Sequence, residues 1–315
     1  HAKENVCGGD QSLFRWLIGH FAHLVQKPYE KPNTALVFKG KKGTGKTTLV
    51  DSIGALVGNY YRTIDNTNDV TNNFNAHLEN CLALTMEEAF WSGDKRAEAI
   101  LKNLITGKKH RIERKGLDAY YLPNLTRVYI IGNDSWLIPA SEDERRYAVF
   151  NVKDTQRGDW KFFKEMRLGF EAGGYSNLLR FLMDYDIKDF NFEEAPNTVG
   201  LYQQKMASLD AFGQWWFESI SEGQIMESAS EEWPAEISRR SIYEAFISYC
   251  TRRRSKKAFF DTMASFFERL EQETFPLQYQ RVRQGSERVR VVKLPTLDQC
   301  RAMWDEKMKF KTEWD

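Results

Sequence analysis

The residues best suited to chemistry in this chain are 40–47, which read Gly-Lys-Lys-Gly-Thr-Gly-Lys-Thr and match the pattern G-x-x-x-x-G-K-T. In this pattern the glycines let successive backbone N–H groups converge on phosphate oxygens. Lys46 can then reach the β- and γ-phosphates of a nucleotide, and the hydroxyl of Thr47 can ligate Mg²⁺. The residues expected to hold the phosphates are Gly40, Gly43, Thr44, Gly45, Lys46, Thr47 and Thr48. The alternative is a surface turn rich in glycine and lysine.

A phosphate loop of this kind needs a strand before it and a helix after it. Residues 35–38 form a short apolar run, and residues 48–57 have the pattern of a helix that ends near Gly58. Both requirements are therefore met, which favours the phosphate loop over the surface turn.

Two carboxylates end an apolar run that follows the loop by about 40 residues, since residues 82–88 read Leu-Ala-Leu-Thr-Met-Glu-Glu. A carboxylate at the end of a strand can hold the Mg²⁺ shell, and its neighbour can orient or deprotonate the attacking water. The order predicts Glu87 for the metal and Glu88 for the water. The alternative is a surface pair at the start of a helix, stabilised by the helix dipole.

Two further signals lie beyond the acidic pair. Asn133 ends another apolar strand, and ligands of parallel sheets sit outside the carboxyl ends of the strands, so Asn133 is expected to contact the γ-phosphate or its water. An asparagine after a strand is also common in ordinary turns. Arg145 and Arg146 precede the next strand. They are either solvated charges or an arginine finger for the γ-phosphate of a neighbouring subunit, and both possibilities stay open.

A basic and aromatic stretch, residues 108–121, lies between the acidic pair and Asn133. It predicts a β-hairpin with Lys115-Gly116 near its tip. Arg111, Arg114 and Lys115 can follow a phosphate backbone, while the tyrosines can stack on bases. The alternative is an ordinary exposed hairpin.

The elements that must position these residues alternate between strands and helices. Apolar periodicity predicts an amphipathic helix at 10–26 with Asp10 as its N-cap. Strands are predicted at 35–39, 81–86, 126–132 and 146–152, and helices at 46–57, 95–105 and 160–185. The predicted fold class is therefore α/β, a parallel doubly wound sheet with helices on both faces.

The character of the sequence changes after an acidic stretch at 222–235. Helices are predicted at 241–252 and 258–270, followed by strands at 278–283 and 288–294 around Gly285, which is the order of a winged helix. The predicted domains are an N-terminal helical segment at 1–32, a core at 33–221, a linker at 222–235 and a basic domain at 236–315.

The C-terminal region is also the most basic part of the chain. Residues 239–293 hold thirteen Lys/Arg and six Asp/Glu, a local net charge of +7 in a chain whose total is +1. The candidate DNA contacts there are Arg252, Arg253, Arg254, Lys256 and Arg288. A solvated basic face, or a docking surface for another protein module, remains the alternative.

Composition bounds the remaining possibilities. A length of 315 residues predicts about two domains, and the four cysteines are too widely spaced for a zinc pattern. His20 and His23 lie three apart on a predicted helix, but without a third ligand nearby we favour solvated or capping histidines. No apolar run approaches the length of a membrane span. The chain begins with His1 rather than Met, so we expect a piece of a longer protein.

Taken together and in this order, the motifs resemble those of superfamily 3 helicases, and in particular the helicase part of phage and plasmid primase-helicases. The nearest likeness is to the C-terminal part of primase-polymerases of deep-sea vent phages. Supporting stretches are Glu30-Lys31-Pro32, Phe74-Asn75-Ala76-His77-Leu78, Ile105-Thr106-Gly107 and Arg145-Arg146-Tyr147. The resemblance covers roughly residues 10–210. One departure is that the usual Asp-Glu or Asp-Asp pair is Glu-Glu here.

The resemblance implies an AAA+-type P-loop core, a ring that is commonly a hexamer, ATP and Mg²⁺ between subunits, and single-stranded or forked DNA in a central channel. It implies a primase-polymerase module on the same polypeptide, no membrane, and a place in the host cytoplasm. The roles it assigns are Walker A for Lys46 and Thr47, Walker B for Glu87 and Glu88, channel hairpin for Lys115, sensor for Asn133, and finger for Arg146 or, second, Arg145.

The expected function is thus an ATP-driven DNA translocase or helicase. One alternative is an ATP-switched DNA-binding or initiator module, which would share every motif. A small-molecule P-loop kinase is the other, and it gives the basic hairpin no purpose.

Overall fold

The computed structural model describes residues 1–66, 69, 74–87, 95–253, 262–274, 276–284 and 287–314. They divide into two compact units, one formed by 1–140 with 144–207 and the other by 141–143 with 208–315. The second unit therefore begins before the acidic stretch at 222–235 that the sequence marks as a linker. The reason is a helix at 211–222, whose buried Phe212, Trp215 and Trp216 contribute to the core of that unit.

The first unit contains a five-stranded sheet, a separate hairpin and six α-helices among its described residues. The sheet strands are β1 (Ala35–Lys39), β2 (Tyr61–Ile64), β3 (Ala83–Glu87), β6 (Arg127–Gly132) and β7 (Tyr147–Asn151), and the hairpin strands are β4 (Lys109–Ile112) and β5 (Tyr120–Pro123). The helices are α1 (Gln11–Gln26), α2 (Lys46–Val57), α3 (Lys95–Thr106), α4 (Trp160–Gly169), α5 (Tyr175–Asp184) and α6 (Val199–Ser208).

The five sheet strands are all parallel, in the order β2-β3-β6-β1-β7. Alternate side chains of each strand enter different cores, because successive residues of a strand face opposite sides. On one side Val37 and Met86 pack with Leu101 of α3, and on the other Phe38 packs with Phe21 of α1. Burial on both sides explains why these strands are continuous apolar runs. The predicted mixed α/β fold with a parallel sheet is confirmed.

Two features of the first unit differ from the prediction. Strand β2 was not predicted, because Arg62 and Thr63 interrupt its apolar pattern and it pairs only with β3 at the edge of the sheet. The predicted helix at 160–185 is divided into α4 and α5 by residues 170–174. Gly173 has φ +104 there, in the left-handed region where a helix cannot continue.

The second unit has an aromatic core in which Phe212, Trp215, Phe246 and Phe266 pack together. Its elements are α7 (Ala211–Glu222), β8 (Glu236–Ser238), α8 (Arg239–Arg252), α9 (Met263–Glu273), β9 (Gln278–Gln284), β10 (Glu287–Lys293) and α10 (Leu297–Met308). The three strands form an antiparallel sheet in the order β8-β10-β9. The predicted succession of two helices and a hairpin is present. Helix α7 lies in the part of the chain that the prediction gave to helices trailing the core, and β8 and α10 were not predicted.

A search of the described residues finds no helix whose length and apolar character would let it cross a lipid bilayer.

Candidate nucleotide and nucleic-acid sites

The glycine-rich loop connects β1 to α2, the context that the motif requires. Gly45 is the N-cap of α2 with φ +86, and because glycine has no side chain it makes no capping hydrogen bond to the first backbone N–H groups of the helix. Gly43 also has a positive φ, +79. A Cβ at Gly45 would lie 2.4 Å from a ring carbon of Phe163. Glycine is therefore required at this position, and the uncapped helix end is suited to bind an anion.

Lys46 lies inside this loop rather than in solvent. Its ammonium group donates hydrogen bonds to the carbonyl oxygens of Gly40 (2.5 Å) and Lys41 (2.7 Å). Burial lowers the pKa of Lys46, and the charge of Glu87 acts in the opposite direction. The amine thus sits within the loop, close enough to a carboxylate to be influenced by it, in a position suited to neutralise phosphate.

Three elements bring side chains to one edge of the sheet. Parallel strands end on the same edge, so Glu87 at the end of β3 and Asn133 after β6 lie on the side of the loop that follows β1. Together they line a cavity of about 240 Å³, whose other lining residues are 42–48, Ile131 and Gly132. The structure therefore brings together the predicted residues Gly43, Thr44, Gly45, Lys46, Thr47, Thr48, Glu87 and Asn133.

The same cavity offers two oxygen ligands to a divalent cation. Thr47 and Glu87 both line it, and a hydroxyl and a carboxylate are the hard ligands that Mg²⁺ prefers. Within the described ranges, no group of three His, Cys, Asp or Glu could hold a metal alone. Mg²⁺ would thus need phosphate oxygens and water as further ligands. Glu88, the predicted partner of Glu87, lies outside the described residues.

The two histidines of α1 are not solvated, contrary to the expectation from sequence. Burial lowers the pKa of His20 to about 3 and that of His23 to about 4, and the positive charge of Arg127 adds to both effects. They are neutral core residues at ordinary pH. Their burial could not be predicted from the sequence, because it depends on packing against Tyr129 of the sheet and against Phe192.

The arginine pair lies at the opposite edge of the sheet from the cavity. The backbone carbonyl of Arg146 accepts a hydrogen bond from the N–H of Ala35, the first residue of β1. The cavity lies at the other end of β1, and a five-residue strand is about 17 Å long. The guanidinium of Arg146 forms two hydrogen bonds, of 2.6 and 2.8 Å, to the buried carboxylate of Glu144. Arg145 is exposed and pairs with Glu194 at 3.0 Å. The finger role of either arginine stays a prediction.

The predicted basic hairpin is formed by β4 and β5, with Gly116 at φ +79 in its turn. Arg111 lies opposite Tyr121 on the exposed side of the hairpin. Arg111 pairs with Glu113, and Arg114 pairs with Glu79. Two of the three predicted DNA contacts therefore have a carboxylate partner within the chain. Lys115 is exposed, and it makes no ion pair with any residue that the structure describes.

The predicted contacts of the C-terminal region are divided in a similar way. Arg252 pairs with Glu227 and Arg253 with Glu218, each at 2.9 Å. Arg254 and Lys256 lie outside the described residues. Arg288 is exposed on β10. The local net charge of +7 thus includes arginines whose charge is already compensated, which the sequence count did not reveal.

Comparisons with known proteins agree with part of this description. Residues 38–146 match the model of a family of unknown function, DUF5906. The DNA primase-polymerase of Nitratiruptor phage NrS-1 is 27% identical over 130 residues, which is 40% of this chain and 18% of that protein. The match thus spans less than a fifth of the length of that relative.

The solved structures give a broader likeness of fold. Two apo structures of the NrS-1 C-terminal region superpose with a TM-score of 0.69 at 16% identity, covering 93% of this chain and 74% of theirs. A third has a TM-score of 0.65 at 15% identity. The chain is therefore similar in sequence to a phage primase-polymerase and similar in fold to the C-terminal region of that protein. The resemblance to phage primase-polymerases is confirmed, whereas the superfamily 3 assignment remains a prediction.

Proposed function

We propose that this chain is the ATP-driven motor of a phage replication protein, a DNA translocase of the helicase type. The observation that carries the proposal is the cavity of about 240 Å³ at which the glycine-rich loop, Glu87 and Asn133 converge. Similarity to a phage primase-polymerase supports the place in DNA replication. It also supports a primase-polymerase module elsewhere on the same polypeptide and action inside the host cell.

The strand order supports an AAA+-type core. Strand β6, which is followed directly by Asn133, lies between the strand of the phosphate loop and the strand of Glu87. This arrangement lets one side chain on the middle strand face both the phosphates and the metal position. In a doubly wound sheet without that intervening strand, the strand that ends at Glu87 would pair directly with the strand that precedes the phosphate loop.

Each residue at the cavity then has a chemical role. ATP would be the substrate whose terminal phosphoryl group is transferred to water, and Mg²⁺ would supply positive charge that stabilises this transfer. The backbone N–H groups at the start of α2 bind the phosphates, and Lys46 neutralises their charge. Thr47 and Glu87 would hold Mg²⁺. We assign orientation of water to Glu88, which follows Glu87 in sequence, and contact with the γ-phosphate to Asn133.

The location of the arginine pair supports a site shared between subunits. Neither Arg145 nor Arg146 can reach the cavity of its own chain from the far edge of the sheet, but a neighbour in a ring could receive either of them. Arg145 is the more exposed of the two, with 66% of its side chain accessible against 23% for Arg146. We propose a hexameric ring in which one of these arginines completes the cavity of the next subunit.

The experiment that tests this function is an ATPase measurement with and without single-stranded DNA, with the mass of the assembly determined in the same buffer. Lys46→Ala should abolish hydrolysis, because the phosphates lose their counter-charge. Lys41→Ala is the matched control, since Lys41 belongs to the same loop but pairs with Asp154 at 2.8 Å on the surface. Hydrolysis that survives Lys46→Ala, or is lost equally in the control, contradicts the proposal.

Assays with a forked DNA duplex distinguish the remaining candidate functions. Unwinding supports the helicase, whereas DNA-stimulated hydrolysis without unwinding supports an ATP-switched initiator module. Hydrolysis that DNA does not stimulate, together with phosphate transfer to a small molecule, would support a kinase instead.

A further inference from the structure

The second hairpin of the molecule carries a regular array of arginines. In the pairing of β9 with β10, Arg283 lies opposite Arg288 and Arg281 lies opposite Arg290. Side chains two residues apart on a strand share a face. The four arginines therefore form a two-by-two array on one side of the hairpin, and all four are exposed. This array is called the arginine face below.

The arginine face is unfavourable for the hairpin itself. Like charges directly opposite each other on antiparallel strands destabilise the pairing. Arg281, Arg288 and Arg290 make no ion pair with a carboxylate in the part of the chain whose side chains the structure describes. The positive charge of these three arginines is therefore available to an anion from outside the chain.

A pocket of about 560 Å³ adjoins the arginine face. Arg281 and Arg290 line it, and so does Tyr279, which shares their face because it is two residues before Arg281. Tyr279 is 44% exposed, and its ring makes a T-shaped contact with that of Phe267. A partly exposed aromatic side chain thus lies beside two arginines.

Arg239 lines the same pocket and has unused hydrogen-bonding capacity. Its guanidinium carbon lies 4.3 Å from the ring centre of Phe267 and 5.2 Å from that of Tyr279. Its Nε is buried and has no hydrogen-bond partner among the described residues. The pocket therefore combines stacking surfaces with an unsatisfied donor.

Helix α9, which precedes this hairpin, has the opposite charge. The residues that it exposes or half exposes beside the pocket include Glu268 and Glu271, and Glu271 accepts a hydrogen bond from the hydroxyl of Tyr279 (2.7 Å). A polyanion would be repelled by the helix and attracted by the hairpin. A ligand of this kind would therefore lie along the strands rather than along the helix.

We propose that the arginine face and its pocket bind one unpaired strand of nucleic acid. Arginines two apart on a strand are about 7 Å from each other, a spacing that suits adjacent phosphates of one extended strand. A base can enter the pocket and stack on Tyr279 only if it is not paired, so a continuous duplex is excluded from this contact. The inference rests on the proposed function only in taking nucleic acid as the substrate.

The test measures binding of the whole chain to a labelled oligothymidylate and to a duplex of the same length, by fluorescence anisotropy over a range of salt. Arg281→Gln with Arg290→Gln should weaken binding of the single strand by at least about tenfold and reduce the salt slope by about 1.4, the value for two lost phosphate contacts. The matched control is Arg252→Gln with Arg253→Gln, which removes the same charge from arginines already paired with Glu227 and Glu218.

Substitutions of Tyr279 provide a second test in the same binding assay. Tyr279→Leu should weaken binding of the single strand by roughly tenfold, as expected for the loss of one stacked base, and should leave duplex binding unchanged. Tyr279→Phe retains the ring and should bind normally. The proposal would be overturned if Tyr279→Leu weakened binding of the single strand and of the duplex equally, or if the two double arginine variants lost the same affinity. Displacement of the DNA by poly-L-glutamate at equal charge would also overturn it.

The result of this binding test does not depend on whether the chain hydrolyses ATP. Lys46→Ala should keep full binding of the single strand at the arginine face, and the Arg281/Arg290 double should keep basal ATP hydrolysis. Absence of hydrolysis in the unmodified chain, with strand binding still dependent on Tyr279, would refute the motor and leave this site intact.

Discussion

Two basic β-hairpins among the described residues look alike in sequence and differ in their contacts. In the first, β4–β5, Arg111 and Arg114 are each paired with a carboxylate of the chain. In the second, β9–β10, Arg281 and Arg290 lie opposite each other. Comparing the two hairpins shows that a count of local charge does not reveal how much of that charge the chain itself compensates. The relevant quantity is the charge that the chain leaves uncompensated.

The two hairpins also differ in what they are connected to. Three residues separate the end of β5 from the start of β6, and β6 leads directly to Asn133 at the proposed nucleotide cavity. We therefore expect a change at the cavity to be transmitted through β6 to the first hairpin. The second hairpin belongs to the other compact unit. We expect the first hairpin to respond to nucleotide and the second to hold a strand irrespective of nucleotide.

The largest effect that distinguishes the hairpins is expected for DNA affinity. Replacing Arg281, Arg288 and Arg290 of the arginine face by Gln should weaken binding of a single strand by roughly 30-fold at low salt and reduce the salt slope by about 2. Arg111→Gln with Arg114→Gln should change affinity by less than about threefold, because those charges are already compensated. Anisotropy titrations of both variants at several salt concentrations make the comparison.

Two outcomes would break the distinction between the hairpins. If both sets of substitutions weaken binding in proportion to the charge removed, the ion pairs of the first hairpin do not limit its contribution. If only the first set has an effect, the arginine face is not a nucleic-acid site.

The next effect concerns Lys115, the exposed lysine in the turn of the first hairpin. Lys115→Ala should reduce the stimulation of ATP hydrolysis by single-stranded DNA several-fold while basal hydrolysis and DNA affinity stay nearly unchanged. The reason is that this hairpin, through β6, is the one connected to the cavity. Lys109→Ala is the matched control, since Lys109 is exposed at the other end of the same hairpin. Stimulation that is normal in Lys115→Ala and reduced in the control would place the DNA contact elsewhere on the hairpin.

Sequence reasoning was reliable where a motif is fixed to an element. The spans of β1, α2, β3 and β6 were predicted to within two residues, because buried parallel strands are unbroken apolar runs. The meeting of Lys46, Glu87 and Asn133 at one cavity follows from the same logic, since all three lie at the carboxyl ends of parallel strands or directly after them.

The ion-pair partners of the charged side chains could not be predicted from the sequence. Arg114 and Glu79 are 35 residues apart, and Arg252 and Glu227 are 25 apart, so only the folded arrangement brings them together. The arginine face likewise depends on the register of β9 against β10. A slip of one residue would have moved every side chain of one strand to the other face. Alternating arginines were visible in the sequence, but their pairing across the hairpin was not.

A third difference between the hairpins is their response to acid. All five histidines of the chain lie in residues 1–110, so the second unit has none. His110 lies on the inward side of β4, where burial, with the charge of Lys31, lowers its pKa to about 4. The unfolded chain binds this proton near pH 6.5. Unfolding is therefore favoured as the pH falls from about 6.5 towards 4, and the stabilisation is fully present above that window.

Thermal unfolding between pH 7.5 and 4.5 tests this sign. The melting temperature of the wild type should fall as the pH decreases through this window, and His110→Gln should make the fall shallower because one of the titrating groups is gone. His20 and His23 should account for the rest, since their pKa values are lowered in the same direction. A pH dependence that is identical in His110→Gln would mean that the hairpin does not bury this ring in solution.

The smallest effect is also the most direct test of charge compensation. Glu79→Gln removes the carboxylate partner of Arg114 without altering the hairpin's own residues. If that ion pair is what withholds Arg114 from DNA, the variant should bind a single strand slightly more tightly, by roughly twofold, with a salt slope steeper by about 0.7 for one additional phosphate contact. Glu79→Gln combined with Arg114→Gln should return both values to those of the wild type, because the freed charge is then absent. An unchanged slope in the single variant would mean that Arg114 cannot reach the strand even when free, and that the geometry of the first hairpin rather than its ion pairs separates it from the second.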